Sequence, residues 1–270
     1  MEISTKDVLL YGMLHRREEE GITMISQPAH AWVSGQLARH WGNKTFGDFA
    51  PKSEVCQAAA LHDIGFLDWE QSPTLNPETG LPYTFLELPT STHLHIWSRG
   101  IEQMLRYGRY SALLVSMHFT GLCQRHPSSS KEDRQLEQNF LAEQEDLQTT
   151  LTTSLQNDFY YEPYSSEEII GRNRQLVSLW DWLSLLLCMG FTEERTVDQV
   201  PKASGLTQIK LKPTQGESTR ITVEPWPFRE KTIPINVEGR QLLQSYSDEN
   251  KMRAGIQAAS PVTLKFDLVP

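Results

Sequence analysis

The sequence predicts a mainly α fold: a helical bundle with a small β-rich element formed by the N- and C-terminal segments. Three observations predict it. Residues 27–195 carry repeated helix punctuation, with capping serines, an early proline and closing glycines. Polar side chains able to bind metal recur inside apolar, helix-like stretches of that zone, where an unpaired polar group is costly. Strand-like alternation is confined to residues 1–26 and 196–270, which read as an N-terminal β element and a β-rich C-terminal module.

In order along the chain, Val8–Leu14 and Ile22–Ile25 flank the charged turn Arg16-Arg17-Glu18-Glu19-Glu20-Gly21, which suits a hairpin. A first helix runs from about Pro28 to Trp41, with Pro28 in its first turn. His30, Ser34, Leu37 and Trp41 share one of its faces. A second helix covers Ser53–Asp63, with Gly65 as its stop. The stretch Trp69–Thr90, rich in Pro, Asn and Gly, is a loop long enough for a lid. Helices follow over Thr92–Tyr107, Tyr110–Gly121 and Lys131–Thr152. The last long helix starts at Ser165-Ser166-Glu167-Glu168, which fits a capping box, and closes at Gly190. Short strands are expected at Ile209–Leu211, Arg220–Val223, Thr232–Ile235 and Val262–Phe266, with a short helix over Arg240–Ser245.

The chain has 270 residues, enough for a large core, and 39% hydrophobic with 22% charged residues is ordinary for a globular protein. Its 25 basic and 34 acidic residues give a net charge of -9, with no basic stripe, which argues against a nucleic-acid duplex as partner. Met1–Asp7 lacks the basic-then-apolar pattern of a signal. No apolar run approaches the ~20 residues that span a bilayer, so no membrane partner is expected. Three scattered cysteines, Cys56, Cys123 and Cys188, suit reduced thiols and a cytoplasmic setting.

The dipeptide His62-Asp63 ends an alanine-rich helix, and two adjacent ligand side chains reach one ion only at such an end. His30 lies upstream of it, His95 and His118 downstream, and Asp181 far downstream. Asp181 sits in Leu176–Leu187, apolar on nearly all sides, where an ionised carboxylate requires a partner or a cation. A hydrogen bond to a buried hydroxyl, or an ion pair with Arg172 or Arg174, is the plainer account of it. His93 competes with His95, since residues two apart on a helix face opposite ways. Arg99 and Glu102 continue the stripe of His95 and favour it. Arg99 and Arg174 are candidate phosphate anchors, and Asp68 is a candidate carboxylate orienting a ligand histidine. Trp69 can wall the pocket, while the other tryptophans of the helical zone read as core.

His30, His62-Asp63 and Asp181, in this order, resemble the HD-domain superfamily of metal-dependent phosphohydrolases. His95 and His118 stand where the binuclear branch has two more histidines. Gln27-Pro28-Ala29-His30, Leu61-His62-Asp63-Ile64-Gly65 with Trp69, and Leu113-Leu114-Val115-Ser116-Met117-His118 also resemble an uncharacterised HD-like family known only as a domain of unknown function. The resemblance covers roughly residues 20–190 and implies an HD-like helical bundle. Phe66 stands where many HD enzymes have lysine, and the Gly-Tyr-Pro motif of cyclic-dinucleotide phosphodiesterases is absent.

The expected function is a metal-dependent phosphohydrolase acting on a small phosphorylated substrate, a phosphate ester or nucleotide. His and carboxylate ligands suit one or two ions of Fe, Mn, Ni or Zn, with Asp63 as the bridge if two bind. Asp63, Arg99 and Asp68 are then the catalytic candidates. A di-iron oxygenase of HD fold is the runner-up. The third reading is a non-catalytic metal- or nucleotide-binding protein whose β module forms a homo-oligomer.

Overall fold

The computed structural model describes residues 13–214 and 217–270. The expected strand start at Val8 and the Met1–Asp7 segment lie outside the described residues. The described chain opens with a hairpin of β1 (Leu14–Arg17) and β2 (Ile22–Ile25). Helix α1 (Gln27–His40) follows at once; the Ser26 side chain accepts from Ala29 N–H, and Pro28 occupies the first turn. Helix α2 (Lys52–Leu61) carries the alanine run, and the one-turn-and-a-half α3 (Phe66–Glu70) starts five residues on. The stretch expected as a bare loop holds a tiny hairpin of β3 (Leu75–Asn76) and β4 (Leu81–Pro82). Then come α4 (Thr90–Leu105), α5 (Arg109–Arg125), α6 (Lys131–Gln156) and α7 (Glu167–Met189), whose cap is Ser166 accepting from Ile169 N–H. The C-terminal part contains β5 (Arg195–Pro201), β6 (Leu206–Thr214), β7 (Glu217–Glu224), β8 (Ile233–Leu242), α8 (Glu249–Ala258) and β9 (Ser260–Val269).

The sheet overturns the expectation of a mainly α or all-α bundle with a small β element. The structure is 49% helical and 22% strand, with one seven-stranded sheet curled into a half-barrel. Its order is β1-β2-β8-β9-β7-β6-β5, antiparallel throughout except for β7 beside β9. The local reading recognised only three- to five-residue windows of strands that run up to ten residues. The cause is the wet outer face. Outward positions of β6 and β8 carry Thr, Lys, Asn, Glu and Arg, which read as loop, while Ile209, Leu211, Ile233, Ile235 and Val237 are buried. In place of the helix expected over Arg240–Ser245, β8 ends at Leu242 and an irregular stretch follows; the true helix of that region is α8.

Helices and sheet share one hydrophobic core. Trp41 closes α1 and meets Trp180 of α7 at 5.9 Å, Phe46 at 5.5 Å and Phe228 at 5.6 Å, all edge-on. On α1, Gln36 hydrogen-bonds the backbone of Asn236 in both directions, its amide donating to the carbonyl (2.8 Å) and its oxygen accepting from N–H (3.1 Å). One side chain thereby satisfies peptide groups of β8 that no neighbouring strand reaches. The consequence for function is that α1 and α7 are clamped between sheet and bundle. Trp32, expected in the core, is 48% exposed and carries Arg39 over its ring at 4.6 Å. Among the described residues no helix is long and apolar enough to cross a membrane.

Candidate metal centre

His30, one turn into α1, points inward between α2 and α7 and is buried. His62 and Asp63 follow directly on α2, in the turn that leads to α3. Gly65 does not end α2 through a left-handed residue, as the sequence suggested; its φ is -61°. Its role is contact, because a Cβ there would stand 2.2 Å from the carbonyl oxygen of Ile96. That close approach of α4 lets the chain turn right after the dyad and aim both of its side chains at α7.

Asp181 faces them from the middle of α7. Its Oδ1 lies 3.2 Å from His62 Nε2 and 3.4 Å from His30 Nε2. Asp63 Oδ2 lies 2.9 Å from His30 Nε2 and 3.4 Å from His62 Nε2. The other oxygen of Asp181, Oδ2, is 3.5 Å from His118 Nε2 on α5. Asp181, rather than Asp63, is therefore the carboxylate that touches all three imidazoles. One ligand atom each from His30, His62 and Asp181 lies within 4.8 Å of the others, and Asp63 stands beside this trio.

The backs of the rings are held. His62 Nδ1–H donates to the Ala59 carbonyl at 3.0 Å, which in the neutral ring leaves Nε2 as the lone-pair nitrogen. His30 Nδ1 lies 2.6 Å from Ser184 Oγ, whose own proton goes to the Asp181 carbonyl at 2.8 Å. Ser184 must then accept from His30 Nδ1–H, so in the neutral ring His30 Nε2 is also a lone-pair nitrogen, 2.9 Å from Asp63 Oδ2. Ser34 backs Ser184 at 2.9 Å, and Ser178 lies 3.0 Å from His118 Nδ1. In this tautomer the buried His62 Nε2 has no hydrogen-bond partner.

Lone pairs facing lone pairs repel unless positive charge lies between them. The titration behaviour says the same. Burial works against a charged His62, yet Asp63 and Asp181 raise its pKa well above the usual value. Burial would also raise Asp63 and Asp181, but the surrounding histidines hold both below the usual carboxylate range. His118 goes the other way, to about 4, because burial dominates and His62 adds to it. The cluster could hold a single cation, a proton or a metal ion, between His30, His62 and Asp181.

The spacings fit a metal. Ligands about 2.1 Å from one ion stand about 3.0 Å apart at right angles and about 3.4 Å apart at the tetrahedral angle. The four contacts made by His30 and His62 span 2.9–3.4 Å. Serines and a backbone carbonyl behind the imidazoles are the usual support for metal-bound histidine. Ser34 was legible four residues after His30 on the same face; Ser178 and Ser184, three residues on either side of Asp181, carried the same signal. As a smaller test, Ser184→Ala is expected to weaken metal affinity roughly 10–100-fold by freeing the His30 ring. Competition with a chelating indicator reads that out, and an unchanged affinity would show that the hydroxyl has no orienting role.

Other expected site residues lie elsewhere. His95 is exposed, so it does not join the centre. His93 turns inward instead, with its ring 4.3 Å from Trp97, 6.0 Å from Phe66 and 6.4 Å from Phe85. Burial in this aromatic box pushes its pKa down to about 4, partly opposed by Asp63. Arg99 is exposed and pairs with Glu102 at 2.6 Å, and Asp68 is exposed on α3. Neither reaches the centre; charged stripes on α4 and α3 face water because water solvates them. Glu70, on the same short helix, was not anticipated. Its Oε1 accepts from Gln27 N–H at 2.7 Å, and burial, reinforced by Asp63, pushes its pKa up to about 8. The neutral form of this carboxyl near the centre is thus favoured well beyond that of an ordinary glutamate.

The chain belongs to the family described as protein of unknown function (DUF3891), whose model matches residues 13–244, from the first hairpin to the end of β8. No curated protein and no solved structure matches it.

Proposed function

We propose that the protein binds one divalent transition metal through His30, His62, Asp63 and Asp181 and hydrolyses a phosphate ester of a small molecule. The observation that carries the reading is the convergence of two buried, tautomer-locked Nε2 atoms on two carboxylates, one Nε2 having no other partner. Fe, Mn, Ni and Zn all suit this donor set. The ligand order His30, His62-Asp63, Asp181 supports phosphoryl chemistry through its resemblance to HD-superfamily phosphohydrolases.

Such an ion, when bound, would supply a Lewis acid for a phosphoryl oxygen and lower the pKa of water. The chain supplies the rest. Ala59 and Ser184 keep His30 and His62 in one tautomer, so the donor set needs no reorganisation. The imidazoles are shut off from solvent, whereas the Asp63 and Asp181 side chains keep 9% and 11% of their surface open. A substrate would approach from the carboxylate side. Three free, buried cysteines support a reducing, cytoplasmic setting.

Elemental analysis of the purified protein tests this directly. About one ion per chain is expected, and a strong chelator should remove it together with hydrolysis of a panel of phosphate esters. Re-addition of one of the four metals should restore both. Metal-free wild type under every loading condition, or ester hydrolysis indifferent to the chelator, would overturn the reading.

A further inference from the structure

Helices α5 and α7 run antiparallel beside the centre, as the meeting of His118 with Ser178 and of Gly121 with Arg174 shows. One to two turns beyond His118, the guanidinium groups of Arg125 and Arg174 converge over Gly121. A Cβ placed on Gly121 would stand 3.1 Å from Arg174 Nη1 and 3.2 Å from Arg125 Nη1. The missing side chain lets both guanidinium groups lie close over the helix backbone. Among the described residues neither arginine has a hydrogen-bond acceptor or an acid paired with it. Arg172, on the same helix, shows the ordinary arrangement: it donates to the carbonyls of Lys202 and Phe46, both at 2.8 Å.

Two neighbouring guanidinium groups repel, and the repulsion grows as water is removed. Arg125 registers it: burial lowers its pKa, Arg174 lowers it further, and Asp181 opposes both. The influence of Asp181 also places the pair within electrostatic reach of the metal centre. Yet the Asp181 oxygens are engaged by imidazoles, so the pair is not the counter-charge of a salt bridge. What resolves such a pair is an external anion, and the planar fork of arginine matches phosphate oxygens in particular.

We infer that Arg125 and Arg174 form a second anion subsite, which takes a phosphate group of the substrate other than the one hydrolysed at the metal. The inference rests on the phosphohydrolase reading and narrows its substrate class. One to two helical turns correspond to roughly 5–10 Å. The substrate is then a small molecule carrying phosphates at two separate positions, with the sugar-sized body between them lying along α5.

Inorganic phosphate is the probe, and the double variant Arg125→Gln/Arg174→Gln is the test. In chelator-treated protein, phosphate should raise the melting temperature of wild type relative to chloride at matched ionic strength, as ligand binding to the folded state requires. The double variant should lose that shift, with phosphate affinity by calorimetry down at least tenfold. Without phosphate its melting temperature should equal or exceed that of wild type, because no partner is removed and a repulsion is relieved. Its metal content should be unchanged. With metal restored, KM for a bisphosphorylated substrate should rise about tenfold, whereas a monophosphate should be hydrolysed as before. A phosphate shift that survives in the double variant overturns the subsite. If the arginine-dependent shift appears but wild type never retains metal, the metal reading fails and the anion site stands.

Discussion

Asp181→Asn is expected to leave a folded protein that no longer retains a divalent ion. The amide keeps the shape of the side chain and removes its charge. In the wild type, Oδ1 serves His30 and His62 and Oδ2 faces His118, so the substitution touches every imidazole of the centre. Loss of an outer support alone weakens metal sites by about 10–100-fold, and loss of a ligand should exceed the upper end of that range. Metal per chain by elemental analysis should fall close to zero, with ester hydrolysis below about one-hundredth of wild type. Stability supplies a second readout. At a free-metal concentration 100-fold above Kd, binding stabilises the native state by about 2.7 kcal/mol. The wild type should show this as a rise in melting temperature and the variant should show none. If the Asp181→Asn variant held stoichiometric metal, Asp181 would be removed from the coordination sphere.

Gly65→Ala is the second large effect. The backbone there, with φ -61° and ψ -21°, is ordinary for alanine, and replacing glycine at a compatible position normally stabilises by about 0.4–1 kcal/mol. Sterics reverses the sign. The new methyl would lie 2.2 Å from the Ile96 oxygen, 2.8 Å from Gly100 N and 2.9 Å from Gly100 Cα. All three are backbone atoms of α4, and no rotamer change relieves the clash; the helix must withdraw. Overpacking of this kind costs about 1–3 kcal/mol, occasionally more. The upper part of that range is expected, with a melting temperature lower by roughly 5–10 °C. Asp63 lies two residues upstream, so metal affinity should fall as well. Gly100→Ala, whose Cβ would meet Gly65 N at 3.2 Å and Cα at 3.4 Å, should be milder. A Gly65→Ala melting temperature at or above wild type would show that α4 yields freely.

The centre was legible because its members break the rule that governs their surroundings. Asp181 stands in an apolar helix, and His30 in one whose inward positions include Val33, Leu37 and Trp41. Each was conspicuous without any long-range knowledge. The choice of His95 over His93 failed for an equally physical reason. Arg99 and Glu102 were read as continuing a site, but charges three residues apart satisfy each other at a solvated surface. The inward stripe of α4 was the apolar one, through Trp97 and Ile101 toward His93. Glu70 was invisible because its burial depends on the first turn of α1, distant in sequence. The sheet was misjudged because register is a long-range property. Nothing near Ile22 indicates that it will pair with Leu242, and β5, interrupted by a bulge between Val197 and Val200, does not advertise itself as a strand.

The place of β9 in the sheet order bears on biogenesis. Residues 260–269 fill the gap between β8 and β7, so two halves of the ladder remain unjoined until that segment has left the ribosome. The hairpin that leads into α1 hangs from β8 and waits with it. Assembly of the core is thus a late event dominated by non-local pairing, which is slow. Metal loading should follow the emergence of residues 260–269 rather than precede it, and nascent chains stalled before residue 260 should bind metal no better than unfolded histidines do.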